Sequence, residues 1–139
     1  MKIAVATDDG KLIRKGHFGS SRNFQIIEIL NGEIVNRELR RNPYTETDDT
    51  SHSHGQAGPI LDLLEDCSLF MGRSMGKKSV AAVTAKQIDC VITKLETVDL
   101  ALATYLKEAD QEFKFYDTDS GKFISCRERE MKMGLIHGK

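Results

Sequence analysis

The sequence predicts an α/β fold built on one mixed β-sheet, and three observations support this prediction. The apolar residues 3–7 have the composition of a strand that is covered on both faces. Two β-rich segments, residues 24–30 and 33–40, are joined by Asn31-Gly32, a dipeptide that favours a type I′ hairpin turn. Helical and strand patterns then alternate through the second half, as in parallel strands joined by helices.

The elements of the second half have distinct patterns. An apolar stripe at helical spacing, formed by Ala57, Ile60, Leu61 and Leu64, predicts the first helix. The next predicted elements are a strand at 68–71, a glycine-bounded loop at 72–76, a helix at 77–86, a strand at 88–93, a helix capped by Thr97, and a weak strand at 113–116. The order βββαβαβα predicts a five-stranded sheet in a three-layer domain at residues 1–116. We expect residues 117–139 to form a C-terminal extension, either a tail or a dimerisation arm.

Composition sets limits on location and partners. The chain has 139 residues with 20 basic and 21 acidic side chains, which is the balance of one globular domain. This charge balance favours neither nucleic acid nor an anionic membrane as a partner. The start resembles no signal peptide and no segment is apolar enough to span a bilayer, so we expect a cytoplasmic protein. Cys67, Cys90 and Cys126 are widely spaced and are expected to be reduced.

Three histidines are expected at one edge of the predicted sheet. If the first strand and the strand at 68–71 are parallel, the segments at 8–20, 42–55 and 72–76 meet at the carboxyl ends of the strands, where open α/β sheets bind ligands. These segments carry His17, His52 and His54.

Neutral imidazole binds zinc, iron, nickel and copper, and an extended His52-Ser53-His54 would point both rings to one side. A divalent-metal site made by His17, His52 and His54 is therefore one hypothesis. Taken alone, however, two histidines in a polar loop are more often simply solvated.

The glycine-bounded loop resembles a phosphate-binding loop only in part. Gly72 and Gly76 are separated by three residues rather than four, and Lys78 stands between Lys77 and Ser79, so the Walker A pattern is not met. Backbone amides at the helix start, with Arg73 and Lys77 nearby, still suit an anion. Alternatively, the glycines only allow close packing of strand and helix.

Enzymatic activity is the less favoured prediction. The βββαβαβ order is that of ribonuclease H, a metal-dependent nuclease, and Asp8 and Asp9 end the first strand. The strand at 68–71 supplies no acid, so a magnesium-dependent nuclease or phosphoryl-transfer site would lack ligands. No Cys/His or Ser/His/Asp arrangement indicates a nucleophile, and we expect no catalytic residues.

The chain resembles a known family in several segments. KIAVATDDGKLIRKGHFGSSRNFQIIEI, HGQAGPILDLLEDC, MGRSMGKKSVAAV, IDCVITK and LETVDLALATYLK occur in an order similar to that of the dinitrogenase iron-molybdenum cofactor biosynthesis family, the NifX/NafY type of domain. The resemblance covers about residues 2–107. It implies a ribonuclease-H-like domain without nuclease activity that binds, stores or delivers iron-sulfur or iron-molybdenum cluster precursors.

The resemblance also implies a site. The histidine of the HFG motif, a cluster ligand in the family, corresponds to His17. The matching motif and loop residues, expected to bind the cofactor, are His17, Phe18, Gly19, Gly72, Arg73, Met75, Gly76 and Lys77.

A transient carrier is the activity that fits these residues. A permanent iron-sulfur cluster normally has about four thiolate ligands, and the predicted site offers none. Such clusters are anionic, and basic side chains expected near the same edge could attract them: Arg14, Lys15, Arg22, Arg73, Lys77 and Lys78. We therefore expect a non-enzymatic binding protein with a protein donor and acceptor of the cluster, and a homodimer remains an open alternative to a monomer.

Overall fold

A computed structural model of the chain describes residues 1–46, 57–107 and 110–132. These residues form seven strands and four α-helices around a single sheet. In chain order the elements are β1 (Lys2–Thr7), β2 (Asn23–Leu30), β3 (Glu33–Arg41), α1 (Ala57–Leu63), β4 (Leu69–Gly72), α2 (Lys77–Ala85), β5 (Asp89–Thr93), α3 (Val98–Leu106), β6 (Phe113–Asp117), β7 (Lys122–Ser125) and α4 (Cys126–Lys132).

The sheet has the strand order β3-β2-β1-β4-β5-β6-β7. The central strands β1, β4 and β5 are parallel, while β2 and β3 on one side and β6 and β7 on the other are antiparallel to their neighbours. The carboxyl ends of three parallel strands therefore lie at one edge, the place where α/β sheets bind ligands.

The prediction of five strands was wrong, because the sheet continues beyond β5. The weak pattern at 113–116 is the strand β6, and β7 pairs with it from Lys114↔Ser125 to Asp117↔Lys122. The segment after residue 117 thus begins with a strand, β7, that joins the same sheet, followed by α4, which contacts β6 and β7. The division into a domain at 1–116 and an extension at 117–139 stays a prediction.

The predicted hairpin between β2 and β3 is confirmed. Asn31 and Gly32 have φ angles of 55° and 79°, the left-handed values that a type I′ turn requires. Glycine adopts such angles without steric cost, and asparagine tolerates them better than most residues. The turn sets the antiparallel register of the edge strand β3.

Apolar side chains on the two faces of the sheet form two core layers. One layer joins β1, β4 and β5 to α3 through residues such as Val5, Met71 and Leu102. The other packs α1 and α2 against the opposite face, with Phe70 and Leu64 near its centre. The predicted three-layer arrangement of helices, sheet and helices is therefore present.

Two further sequence predictions can be compared with the structure. Thr97 caps α3 as expected, since its hydroxyl oxygen accepts a hydrogen bond of 3.0 Å from the backbone N–H of Leu100. Among the described residues, no helix combines the length and the apolar composition needed to cross a membrane.

Candidate functional site

The segment after β1 and the loop after β4 meet at the carboxyl edge of the sheet. His17 and Ser74 form a parallel backbone bridge, in which the N–H of Phe18 donates a 2.8 Å hydrogen bond to the carbonyl oxygen of Ser74. Two of the three segments expected at this edge are therefore in direct contact. The third includes residues 47–56, which lie outside the described residues.

The imidazole of His17 is exposed to solvent, and the neighbouring loop orients it. Its Nδ1 lies 3.1 Å from the hydroxyl oxygen of Ser74. A histidine that binds a metal through Nε2 must carry its proton on Nδ1, and a hydrogen-bond acceptor at Nδ1 stabilises that tautomer. The Ser74 hydroxyl is in position to be this acceptor, so Nε2 is the nitrogen available to a ligand.

Phe18 anchors the segment that carries His17. Its ring is almost fully buried, stacks on Phe70 with the ring centres 4.9 Å apart, and contacts Phe24 at the same distance. A side-chain carbon on Gly72 would lie 3.3 Å from the Phe18 ring, so the absence of a side chain there leaves room for this contact. Burial of the phenylalanine fixes the backbone on which the neighbouring exposed imidazole is mounted.

The side chain of a buried asparagine stabilises the short turn after His17. Asn42 is 1% exposed and donates from its side-chain amide to the carbonyl oxygens of Gly19 and Ser21, at 3.2 and 2.9 Å. The hydroxyl of Ser21 in turn donates to the carbonyl oxygen of Phe18 at 2.6 Å. These side-chain hydrogen bonds fix the backbone carbonyl groups of the turn in position.

A small apolar cavity opens beside His17, on the face of the sheet covered by α1 and α2. Its volume is about 110 Å³. The walls come from the His17 turn, both helices, β4, β5 and the loop before α2: His17, Phe18, Gly19, Ser20, Ile60, Phe70, Met75, Gly76, Ser79, Val80, Val83 and Cys90. Four of the other predicted motif and loop residues therefore line the same cavity as His17: Phe18, Gly19, Met75 and Gly76.

Cys90 contributes a thiol to the wall of this cavity. The residue is 2% exposed, and burial raises the pKa of its thiol to about 12. Burial, together with the nearby carboxylate of Asp66, raises the pKa of the Cys67 thiol to about 12 as well. Both thiols are therefore protonated near neutral pH, and the protonated form is a poor nucleophile and a poor metal ligand.

A charged cleft lies at the same edge but over the other core layer. Arg14, Lys15 and Arg73 line it together with the acids Asp8, Asp9 and Glu96, and its volume is about 470 Å³. Asp8 accepts a 2.8 Å hydrogen bond from Nη1 of Arg14. Of the six predicted basic residues, three therefore line this cleft, while Lys77 and Lys78 are exposed at the start of α2. Arg22 is exposed just before β2 and lines neither place.

Other predicted site residues are placed as follows. Arg73 lies in the charged cleft rather than in the cavity beside His17, and Lys77 is the first residue of α2. His52 and His54 lie outside the described residues, so the three-histidine hypothesis stays a prediction. Within the described part of the chain, no three His, Cys, Asp or Glu side chains are grouped closely enough to hold a metal ion.

Three residues of this region were missed by sequence reasoning. Ser74 orients His17, Asn42 holds the turn, and Cys90 reaches the cavity. The only signal for Ser74 was its position inside the glycine-bounded loop. Asn42 looked like the start of a polar loop, and Cys90 could be predicted to be buried but not to border a cavity.

Comparison with known proteins identifies the family. The sequence profile described as dinitrogenase iron-molybdenum cofactor matches residues 1–108. An uncharacterised protein of Methanocaldococcus jannaschii is 26% identical over 114 residues, which cover 82% of this chain and 92% of that protein.

Solved structures share the fold. The crystal structure of PH0822 has a TM-score of 0.65 at 17% identity, covering 78% of this chain and 92% of that one. The apo form of the orange protein from Desulfovibrio gigas has a TM-score of 0.62 at 22% identity, covering 77% and 88%. Because the matched profile spans most of the sequence, the chain belongs to the dinitrogenase iron-molybdenum cofactor family.

Proposed function

We propose that the chain is a non-enzymatic carrier that binds an iron-sulfur or iron-molybdenum cluster precursor through His17 and passes it to an acceptor protein in the cytoplasm. The observation that carries this proposal is the exposed imidazole of His17, which Ser74 orients at the ligand-binding edge of the sheet. Family membership supports the class of cargo. The order of the first five strands also supports classification as a ribonuclease-H-like fold.

The ligand set supports transient rather than permanent binding. A resident iron-sulfur cluster is normally held by about four thiolates. Of the three cysteines, Cys67 and Cys90 are buried and protonated near neutral pH, and Cys126 begins α4. Among the described residues, the exposed imidazole of His17 is therefore the ligand that we propose for the cluster. A single bond of this kind is readily exchanged for the ligands of an acceptor protein.

Charge and shape support an anionic cargo with an apolar side. Lys77 and Lys78 begin α2 next to the loop that contacts His17. The wall beside the imidazole is mostly apolar and includes the thioether of Met75, a soft donor. Because His17 is exposed, the cargo lies over the mouth of the cavity, where a second protein has access to it.

Anaerobic reconstitution tests the proposal. The apo chain is incubated with ferrous iron and sulfide, with or without molybdate, then desalted and assayed for iron, sulfide and molybdenum. We expect His17→Ala to retain less than roughly a tenth of the wild-type cluster, since the lost bond is the main direct link. His137→Ala, which removes the fourth histidine, is the matched control and is expected to retain the cluster.

The role of Ser74 gives a second readout of the same site. Ser74→Ala removes the acceptor at Nδ1 and is expected to lower cluster retention roughly 10-fold, the lower end of the roughly 10- to 100-fold losses of metal affinity or activity seen for outer-shell partners of metal ligands. Ser74→Thr keeps the hydroxyl and should restore retention. Equal retention by wild type and His17→Ala would remove His17 as the ligand and with it the proposed carrier site.

A further inference from the structure

The charged cleft beside the candidate site contains two arginines whose hydrogen bonding is incomplete. Nε of Arg14 and Nε of Arg73 are both shielded from solvent, and neither has a hydrogen-bond acceptor in the described structure. The two side chains line the same cleft although they come from different segments, one after β1 and one after β4. A buried donor without an acceptor is destabilising, so two of them in one cleft indicate a missing acceptor.

The fold brings Arg14 close to the backbone of its own loop. A side-chain carbon on Gly16 would lie 3.2 Å from Nε of Arg14, which is closer than carbon atoms normally approach a neighbour. Nη1 of the same guanidinium is held by Asp8 at 2.8 Å. The guanidinium is thus positioned before any ligand arrives, while Nε stays unpaired.

Two of the three carboxylates of the cleft, those of Asp8 and Asp9, are already used by the protein. The two oxygens of Asp8 accept from Arg14 and from the backbone N–H of Arg22, each at 2.8 Å. One oxygen of Asp9 accepts from the backbone N–H groups of Lys11 and Leu12, and these bonds lower the pKa of that carboxyl.

Two of the three acids therefore hold the loop in shape, and the third, Glu96, is exposed. The arrangement does not suit a cation, because the acids of the described cleft form no group able to hold a metal ion. The buried side-chain atoms of the described cleft that lack partners are donors on positively charged side chains.

We propose that this cleft binds a tetrahedral oxyanion, with oxygens that accept hydrogen bonds from Nε of Arg14 and Nε of Arg73. Guanidinium groups bind such anions through charge-assisted hydrogen bonds, and Lys15 adds a third positive charge at the rim. Phosphate, sulfate and molybdate share this charge and geometry. The site is separate from the cluster site proposed at His17, and neither depends on the other.

Direct titration of the full apo chain tests the inference. Inorganic phosphate, sulfate and molybdate are titrated separately by isothermal calorimetry near neutral pH, in a buffer without other oxyanions. Arg73→Gln is the principal variant, since Arg73 forms no ion pair with any residue that the structure describes and its loss leaves the loop bonds of Asp8 intact. We expect this variant to bind the preferred oxyanion at least about tenfold more weakly than wild type.

Two control variants distinguish oxyanion binding in the cleft from a general effect of positive charge and from cluster binding at His17. Lys78→Gln removes one positive charge from α2, outside the cleft, and is expected to bind within about twofold of wild type. His17→Ala should also bind the oxyanion like wild type, whatever it does to cluster retention.

Saturable binding that is lost in Arg73→Gln and kept in Lys78→Gln supports the inference. The oxyanion that binds with the highest affinity is then the one that the cleft prefers. Arg14→Gln gives a second reading and is also expected to weaken binding. The inference is overturned if no oxyanion binds the wild type saturably, or if Arg73→Gln binds as wild type does. Circular dichroism of each variant verifies that the fold is kept.

Discussion

Arginines in two regions of this protein have opposite hydrogen-bonding states. Arg40, on β3, donates from all five of its N–H groups: to both oxygens of Glu38, to both oxygens of Asp66 and to the carbonyl oxygen of Leu63, at 2.9 to 3.1 Å. Five is the full donor capacity of a guanidinium. We refer to Arg40, Glu38 and Asp66 as the Arg40 network.

The arginines of the charged cleft have a similar chemistry but incomplete bonding. Arg14 has one carboxylate partner, and the Nε atoms of Arg14 and Arg73 have none. A fully bonded guanidinium has no donor left for a ligand, so the Arg40 network can only stabilise the fold. Arginines available for binding are therefore recognised by missing acceptors rather than by exposure, since the side chains of Arg14 and Arg40 are both less than a third exposed and Arg73 is half-buried.

The largest expected difference between the two regions is in stability. Arg40→Gln leaves Glu38 and Asp66 without their main partner, and we expect the free energy of unfolding to fall by roughly 2 kcal/mol, between the values for exposed and buried pairs. Arg73→Gln removes an unbonded donor and should change stability by less than about 0.5 kcal/mol. Urea unfolding of both variants measures this. Equal destabilisation would mean that Arg73 has structural partners and would contradict the comparison.

Local sequence patterns predict the central part of the fold. Asn31-Gly32 and the apolar β1 identify the strands because turn type and double-sided burial depend on a few neighbouring residues. The four-residue β7 was not predicted, since it contains no strong pattern and owes its formation to pairing with β6. Such tertiary stabilisation overrides weak local preference.

The position of the candidate site in the fold could be predicted from the sequence, but the contacts between its side chains could not. His17 could be assigned to the carboxyl edge of the sheet from strand order alone. Its hydrogen bond to Ser74 joins residues 57 positions apart, and the unpaired Nε atoms of Arg14 and Arg73 depend on side-chain packing. Sequence patterns report periodicity and not the positions of individual donors, so these features required coordinates.

A smaller expected effect is the acid sensitivity of the Arg40 network. Hydrogen bonds from Arg40 hold the pKa of Asp66 well below its ordinary value of 3.8. The carboxylate therefore contributes stability above that ordinary value, and the contribution is lost as the pH falls toward the lower pKa of the folded state. Since the side chain of Asp66 is 36% exposed, Asp66→Asn should cost only about 1 kcal/mol near neutral pH.

Unfolding by urea at about pH 7 and about pH 3 measures this pH dependence, because the difference between wild type and Asp66→Asn should shrink at the lower pH. Asp62→Asn, at an exposed position on α1, is the matched control and should have little effect at either pH. If the difference in stability between wild type and Asp66→Asn did not change with pH, the substitution would act through packing rather than through charge. Oxyanion binding should be unchanged in both variants, because neither residue lies in the cleft.

The smallest expected effect is on the fit of the cleft, and Gly16 tests it. In Gly16→Ala the added carbon would lie 3.2 Å from Nε of Arg14, so the guanidinium has to move by a few tenths of an ångström. We expect oxyanion affinity to fall about threefold and the free energy of unfolding to change by less than about 1 kcal/mol, because a flexible arginine side chain can shift more easily than packed core atoms.

Gly58→Ala is the matched control, since nothing lies within 4 Å of a carbon added there and the position is in α1. Alanine in a helix is expected to raise stability by roughly 0.5 to 1 kcal/mol, with no change in oxyanion affinity. If Gly16→Ala bound the oxyanion as tightly as wild type, the position of Nε in Arg14 would not matter. Recognition in the cleft would then be by net charge alone, and the distinction between bonded and unbonded arginines would lose its functional meaning.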